Sequence, residues 1–267
     1  MKRRPFLIWF LVGLLSCLGM SCSSQIYQLT SSAQGTASVT ITVSAAASLQ
    51  DVLDAIAPQF QTAYPQINVD YNFGSSGALQ RQIEQGAPAD LFFSAGVKPM
   101  DQLSKQGLIV SGSHRPLVTN RLVLVAPATS QQDITHLEQL KSVDIRRFAV
   151  GEFRSVPAGQ YAEQVFANLD LLESLQSKFV FGNNVRAVLA AVESGNAELG
   201  MVYATDAVLS PQVKVLTTIP TKSHSPIVYP IGVVQNASHP AAAQAFIDFL
   251  NTETAQNTFE RFGFGRV

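Results

Sequence analysis

The chain has 267 residues, 46% of them hydrophobic and 14% charged, with a formal net charge of −1. That length supports one large domain or two smaller lobes, and a near balance of charge without runs of either sign excludes the basic surface that nucleic acid requires. The only two cysteines, Cys17 and Cys22, stand close to the start, so no disulfide braces the rest.

The start reads as an export leader. "MKRRPFLIWFLVGLLSCLGMSCSS" sets Lys2, Arg3 and Arg4 ahead of an apolar run from Phe6 to about Met20, which is short for a membrane span and ends in small residues. Cys17 in "LLSC" and Cys22 in "GMSC" each follow a small residue, as an acylated lipoprotein cysteine does, and the polar tether "SSQIYQLTSSAQGTAS" comes next. Residues 1–37 are therefore expected to be a lipoprotein-type export signal and tether, with the lipid on either Cys17 or Cys22 and simple cleavage as the rival. Losing the three leader cations leaves 15 cations against 19 acids, a net charge of about −4.

From Val39 onward short apolar runs alternate with amphipathic stretches, the signature of an α/β fold built on parallel strands. "VTITVSAAAS" predicts a strand that delivers Ser48. "SLQDVLDAIAPQF" places Leu49, Val52, Leu53, Ile56 and Phe60 at helical spacing, with Ser48 as N-cap and Asp51 closing a capping box. "INVDYNF" is the next strand and "SGALQRQIEQG" the next helix. "PADLFFSAG" reads as a buried strand and turn, and "KPMDQLSKQG" as a helix with Pro99 in its first turn and Gly107 beyond its last.

"RLVLVAPA", "RFAVGEF", "KFVFG", "LGMVYA" and "VKVLTTI" supply further strands, separated by the helical "AGQYAEQVFANL" and "NVRAVLAAVESG". "YPIGVV" is a last strand before the helices "AAAQAFIDFL" and "TAQNTFERFGF". About eight strands in this alternation favour two lobes over one wide sheet, because open sheets of that width tend to split.

Four places share one grammar, in which a strand ends, a small or polar residue follows and a helix begins: Ser48, Ser76, Ala158 and Val185. In open α/β sheets ligands bind beyond the carboxyl ends of the strands, where helix N-termini present unpaired N–H groups and a positive dipole. Ser48 and Ser76 add hydroxyls; Ala158 and Val185 offer only backbone. Taken singly, a Ser at a helix start is an N-cap, "GSSG" is a turn and Val185 is core. Tyr203 in "VYATDA" is packing by default, although a buried hydroxyl needs a partner. Arg81 and Arg186 lie about one turn inside two of the helices, where solvation or pairing between lobes competes with a ligand role, and neither is assigned one.

Enzyme signatures are sparse. There is no G-x-S-x-G, S-x-x-K, H-E-x-x-H or C-x-x-C, and His114, His136, His224 and His239 are scattered, which argues against a metal cluster.

Together these stretches resemble the periplasmic molybdate-binding proteins, the solute receptors of ABC transporters for molybdate and tungstate. The resemblance runs from about Val39 to the C-terminus and rests on "AAASL" (45–49), "GAPADLFFSA" (86–95), "VPAGQYA" (156–162), "NVRAVLAAVESG" (184–195), "VYATDA" (202–207) and "YPIGVV" (229–234). It implies an α/β, two-lobed periplasmic-binding-protein fold of type II kind, each lobe a mostly parallel sheet flanked by helices, with the ligand cleft between them. Lobe I would comprise 38–119 plus 231–267 and lobe II 120–230.

The ligand set it implies is the hydroxyl and N–H of Ser48, the hydroxyl and N–H of Ser76, the backbone N–H groups of Ala158 and Val185, and the Tyr203 hydroxyl. It further implies a non-enzymatic monomer without cofactor or directly ligated metal cation, its molybdenum or tungsten arriving as the oxyanion. Such a receptor works in the periplasm or at the outer face of the cytoplasmic membrane, touches the membrane only through its lipid, and hands its anion to an ABC permease. Two positions depart from the family pattern: Gly77 stands where a third serine is common, and "GEFRSVPAG" lacks the usual Asp-Pro ahead of the valine. The alternatives are another tetrahedral oxyanion such as sulfate and, from a different class, an exported serine hydrolase with Ser48 or Ser76 as nucleophile, for which no base stands at a recognisable spacing.

Overall fold

The structure is a computed structural model that describes residues 38–267; the leader, the tether, Cys17 and Cys22 lie outside the described residues. β1 (Val39–Ala46) passes through one 3₁₀ turn (Ala47–Leu49) into α1 (Gln50–Ala63). α1 forms because Val52, Leu53, Ile56 and Phe60 recur on one face and are buried against the sheet, and it stops at Tyr64, ahead of Pro65. β2 (Ile67–Gly74), α2 (Ser76–Glu84), β3 (Leu91–Phe93), α3 (Val97–Lys105) and β4 (Arg115–Thr119) follow.

The chain then crosses to a second sheet through β5 (Leu122–Pro127), β6 (Phe148–Gly151), α4 (Pro157–Asn168), α5 (Leu172–Leu175), β7 (Phe179–Gly182), α6 (Val185–Glu193), β8 (Leu199–Tyr203), α7 (Ala204–Val208) and β9 (Val213–Thr218). It returns in β10 (Val228–Val233) and closes with α8 (Pro240–Leu250), α9 (Glu253–Arg261) and β11 (Gly265–Arg266).

The first sheet has the order β11-β4-β10-β3-β1-β2 and the second β7-β6-β8-β5-β9. Both are mixed, which corrects the expectation of mostly parallel lobes. β3-β1-β2 and β7-β6-β8 pair in parallel, but β10 runs against β3 and β4, and β5 against β8 and β9. The cause lies in the two crossings. A strand that enters a sheet from the other lobe starts at the edge where the parallel strands end, so it must run the opposite way.

Eleven strands are described, against the nine stretches that read as strands in the sequence, a count there rounded to about eight. β4 was hidden by Pro116, which weakens a strand signal, and β11 is only two residues long. Among the described residues no helix is long and apolar enough to cross a membrane.

Register sets the site. β1 and β2 pair in step from Val39 opposite Ile67 to Ala46 opposite Gly74, so Ser48 and Ser76, each two residues past its strand, emerge at the same sheet edge. Aromatic clusters hold the layers: Phe60 meets Phe246 edge to face at 4.9 Å and Phe249 at 5.3 Å, while in the other lobe Phe148 meets Phe166 at 5.4 Å. The crossings are tied to each other, since the Asn120 N–H donates to the Ile227 carbonyl at 3.1 Å.

Candidate functional site

Ser48 does not cap α1. It sits inside the 3₁₀ turn, Leu49 occupies the N-cap position, and no side chain caps the helix, so the expected capping box with Asp51 is absent. The early tightening of the chain turns the Ser48 hydroxyl away from the helix start and onto Tyr229, with Oγ and the phenolic oxygen 3.0 Å apart and both side chains buried. Asp51 instead forms an ion pair with Arg186 of α6 across the lobes.

Ser76 is the first residue of α2, behind Ser75 at the N-cap. Its Oγ accepts the Ala95 N–H at 2.9 Å, which leaves the hydroxyl proton free to donate elsewhere. Next to it, the Gly77 N–H donates to the Ser155 carbonyl of the other lobe at 3.0 Å. Glycine is required there, because a Cβ would lie about 2.5 Å from that same oxygen. The two departures from the family pattern thus touch each other.

Ala158 follows Pro157 in the first turn of α4, where an N–H has no intrahelical acceptor. Gly159 lets this turn settle on the end of β6, since any side chain would collide with the Gly151 carbonyl. Val185 begins α6, and Asn184 caps it by accepting the Ala187 N–H at 2.9 Å. Tyr203 ends β8 and reaches the first lobe, its hydroxyl donating to the Ala95 carbonyl at 3.3 Å.

Ser48, Ser76, Ala158, Val185 and Tyr203 all line one cavity, together with Ser75, Asn184 and small apolar residues of both lobes. Its volume is about 10 Å³, close to the least that holds one water. Apart from the Tyr203 phenol no lining residue is ionisable, and burial pushes that phenol well above its ordinary pKa, so it stays protonated; its one proton lies on the Ala95 carbonyl and must turn from it to reach an anion. The cavity is a convergence of neutral donors on a space too small for water in bulk.

The nearest charges lie behind this wall. Arg186 Nε stands 3.1 Å from Oδ1 of the fully buried Asp206 as a close charge contact rather than an aligned hydrogen bond. Burial pushes Asp206 up to about 7, opposed by Arg186 and the Tyr203 N–H and reinforced by Asp51. Arg186 therefore pairs within and between lobes, while Arg81 is exposed.

Sequence reasoning missed Ser75, whose buried hydroxyl has no partner, and Asn184. The signal for Ser75 was present in "GSSG", where two serines compete for one cap. None of the four histidines lines the cavity, and the partners of Ser48 and Ser76 are a phenol and a backbone N–H. Among the described residues no three His, Cys, Asp or Glu side chains group as a metal site. A larger groove of about 650 Å³ runs between α3, α4 and residues 225–228, but it is lined by the exposed Lys98 and Lys105 and contains none of the four helix starts.

Two helix-flanked mixed sheets closing on a small pocket of donors define a two-lobed solute-binding protein. The chain belongs to the bacterial extracellular solute-binding protein family, which it matches over residues 41–265. It is 41% identical to the molybdate-binding protein ModA of Escherichia coli over 228 residues, covering 84% of this chain and 88% of that protein. It is 40% identical over 263 residues, 98% of each chain, to YvgL of Bacillus subtilis, provisionally named an ABC transporter substrate-binding lipoprotein. Among solved structures, the periplasmic molybdate-binding protein of Azotobacter vinelandii superposes with a TM-score of 0.77 at 26% identity, over 84% of this chain and 98% of that one. The family resemblance and the two-lobed α/β architecture read from the sequence are borne out.

Proposed function

We propose that this protein captures molybdate or tungstate outside the cytoplasm and delivers it to an ABC transporter permease. The observation that carries this reading is that the five residues implied as ligands, drawn from both lobes and from positions 48 to 203, share one cavity. Two hydroxyls, a phenol and first-turn N–H groups can complex a dianion without a counter-cation, each charge-assisted hydrogen bond being about twice as strong as a neutral one. The names of the relatives in Escherichia coli and Azotobacter vinelandii support the choice of anion.

Lobe I, 38–119 with 231–267, and lobe II, 120–230, would close on the anion by hinge motion at the two crossings. Entry of an oxyanion requires the lobes to part, because the cavity holds little more than one water. The protein acts as a monomer and a receptor rather than an enzyme, uses no cofactor, and is held at the outer face of the cytoplasmic membrane through a lipid on Cys17 or Cys22; the name of YvgL supports the lipid.

Thermal unfolding of the chain from Ser38 with molybdate, tungstate, sulfate and phosphate in turn tests this. At a hundredfold excess over its dissociation constant a ligand adds about 2.7 kcal/mol, roughly a 5 to 10 °C rise for a chain of this size. A rise with molybdate and tungstate alone is expected. A rise with sulfate instead would keep the pocket and change the substrate, and no rise with any of the four would remove the receptor reading.

A further inference from the structure

Behind Ser48 lies a chain of hydrogen bonds that the ligand set does not include. The Arg121 N–H donates to Asn120 Oδ1 at 2.8 Å. A backbone N–H can only donate, so this bond fixes which end of the Asn120 amide is oxygen and turns Nδ2 the other way. The two Nδ2 protons then go to Thr205 Oγ1 at 3.0 Å and to the Tyr229 hydroxyl oxygen at 3.1 Å.

Tyr229 has no exposed surface, and its hydroxyl makes one further hydrogen bond of normal geometry among the described residues, with Ser48 Oγ at 3.0 Å; the Tyr203 hydroxyl lies beside it but outside that geometry, its own proton directed to the Ala95 carbonyl. Were Tyr229 to accept from both Asn120 and Ser48, its own proton would be left buried without an acceptor, which is costly. Tyr229 therefore donates to Ser48, and Ser48 in turn has its single proton free for the cavity that it lines. Burial holds the Tyr229 phenol well above its ordinary pKa, which keeps the proton in place.

We infer that Asn120 and Tyr229 are positioning residues that fix Ser48 as a donor to the bound anion. Every bond in the relay points the same way, from the backbone of the crossing segment through Asn120 and Tyr229 to the ligand. Ser76 is set in the same sense by a different donor, the Ala95 N–H. With one lone pair of each serine oxygen already accepting and each proton free for the cavity, both hydroxyls present a donor first, so the relay favours a fully deprotonated oxyanion. Asn120 also joins Thr205 of α7 to this relay, placing it on the segment between β4 and β5 where one lobe passes into the other.

This inference rests on the oxyanion-receptor reading, and a double-mutant cycle separates the two. Molybdate binding is measured by calorimetry on the chain from Ser38 as wild type, Tyr229→Phe, Ser48→Ala and both together. Tyr229→Phe keeps the ring that packs between Tyr203 and Phe264, with centroids 5.7 and 5.6 Å away, and removes only the hydroxyl. It is expected to weaken binding about tenfold in the wild type and less than about twofold when Ser48 is already alanine. Asn120→Ala, a second route to the same relay, is expected to show the same dependence on Ser48. In Tyr229→Phe the preference for molybdate over hydrogen phosphate should also narrow, because Ser48 Oγ regains an open acceptor site. Equal losses in both backgrounds, or no loss in either, would overturn the positioning role while leaving the receptor intact. Failure of the wild type to bind any oxyanion would overturn both.

Discussion

The Gly77 N–H and the Ser155 carbonyl meet at 3.0 Å, a backbone hydrogen bond that joins the first turn of α2 in one lobe to the loop ahead of α4 in the other. It is a contact between the lobes, and it leaves no room for a side chain. Gly77→Ala brings a methyl to about 2.5 Å from the Ser155 oxygen. Overpacking of this kind costs about 1 to 3 kcal/mol, which should fall on closure, so molybdate affinity is expected to drop roughly 5- to 150-fold. Unfolding without ligand should change little, since alanine suits a helix better than glycine. Calorimetry paired with small-angle scattering checks this: wild-type affinity and full compaction on adding molybdate would count against the contact as a closing element.

Ser76→Ala should be costly twice. It removes a hydroxyl donor to the anion, worth about 1.5 to 3 kcal/mol of binding as a hydrogen bond to a charged group, and it leaves the buried Ala95 N–H without its acceptor, about 1 to 3 kcal/mol of stability. Denaturant unfolding without ligand and a binding isotherm measure the two losses separately. A variant that loses only one of them would show that the hydroxyl serves only that role.

Asp206 makes the stability pH-dependent in a direction opposite to that of most carboxylates. Its folded pKa is near 7 against an ordinary value of 3.8, so between these limits the folded chain keeps a proton that the unfolded chain has released. Its contribution is complete below about pH 4, is lost as pH rises toward 7 at up to about 1.4 kcal/mol per unit, and levels off above that. Asp206→Asn keeps an acceptor for the Tyr203 N–H and should flatten this slope. Unfolding free energies at pH 4.5, 6 and 7.5 for both chains provide the test, and parallel slopes would refute it.

Arg186 is the counter-charge for that carboxylate and for Asp51 of the other lobe. Arg186→Met should raise the Asp206 pKa further and destabilise the chain more at pH 8 than at pH 5, by about 3 to 5 kcal/mol at the higher pH, the cost of leaving a buried charge unpaired. An equal loss at both values would mean that packing rather than charge had been removed.

Much of this architecture was legible because it rests on local rules. The apolar positions of α1, the Pro157 start of α4 and the strand runs "VTITV" and "RLVLV" each obey a short-range pattern, and the helix starts at Ser76, Ala158 and Val185 fall in the first turns of α2, α4 and α6, whereas Ser48 precedes α1 inside a 3₁₀ turn. The direction of the strands at the crossings was not legible, since it depends on which edge of a sheet the chain enters. The capping role given to Ser48 failed for a similar reason. A serine and an aspartate three residues apart satisfy the local rule for a capping box, but the phenol that draws Ser48 away is 181 residues distant. Asn120 and Tyr229 carried no signal of their own, because a hydrogen-bond relay between three segments leaves no spacing in any one of them.

The absence of any cation or carboxylate from the cavity wall has an electrical consequence. A pocket that took up protons with its ligand would offset the ligand's charge; here no residue of the wall can take one up near neutral pH, so the anion's two negative charges are added whole to a chain about four units negative without the leader. Loaded and empty forms of one polypeptide thus differ by half as much charge again, enough to resolve them on an anion exchanger or a native gel. The same difference gives a membrane complex an electrostatic handle, at long range and before any contact, for telling a receptor that carries cargo from one that does not.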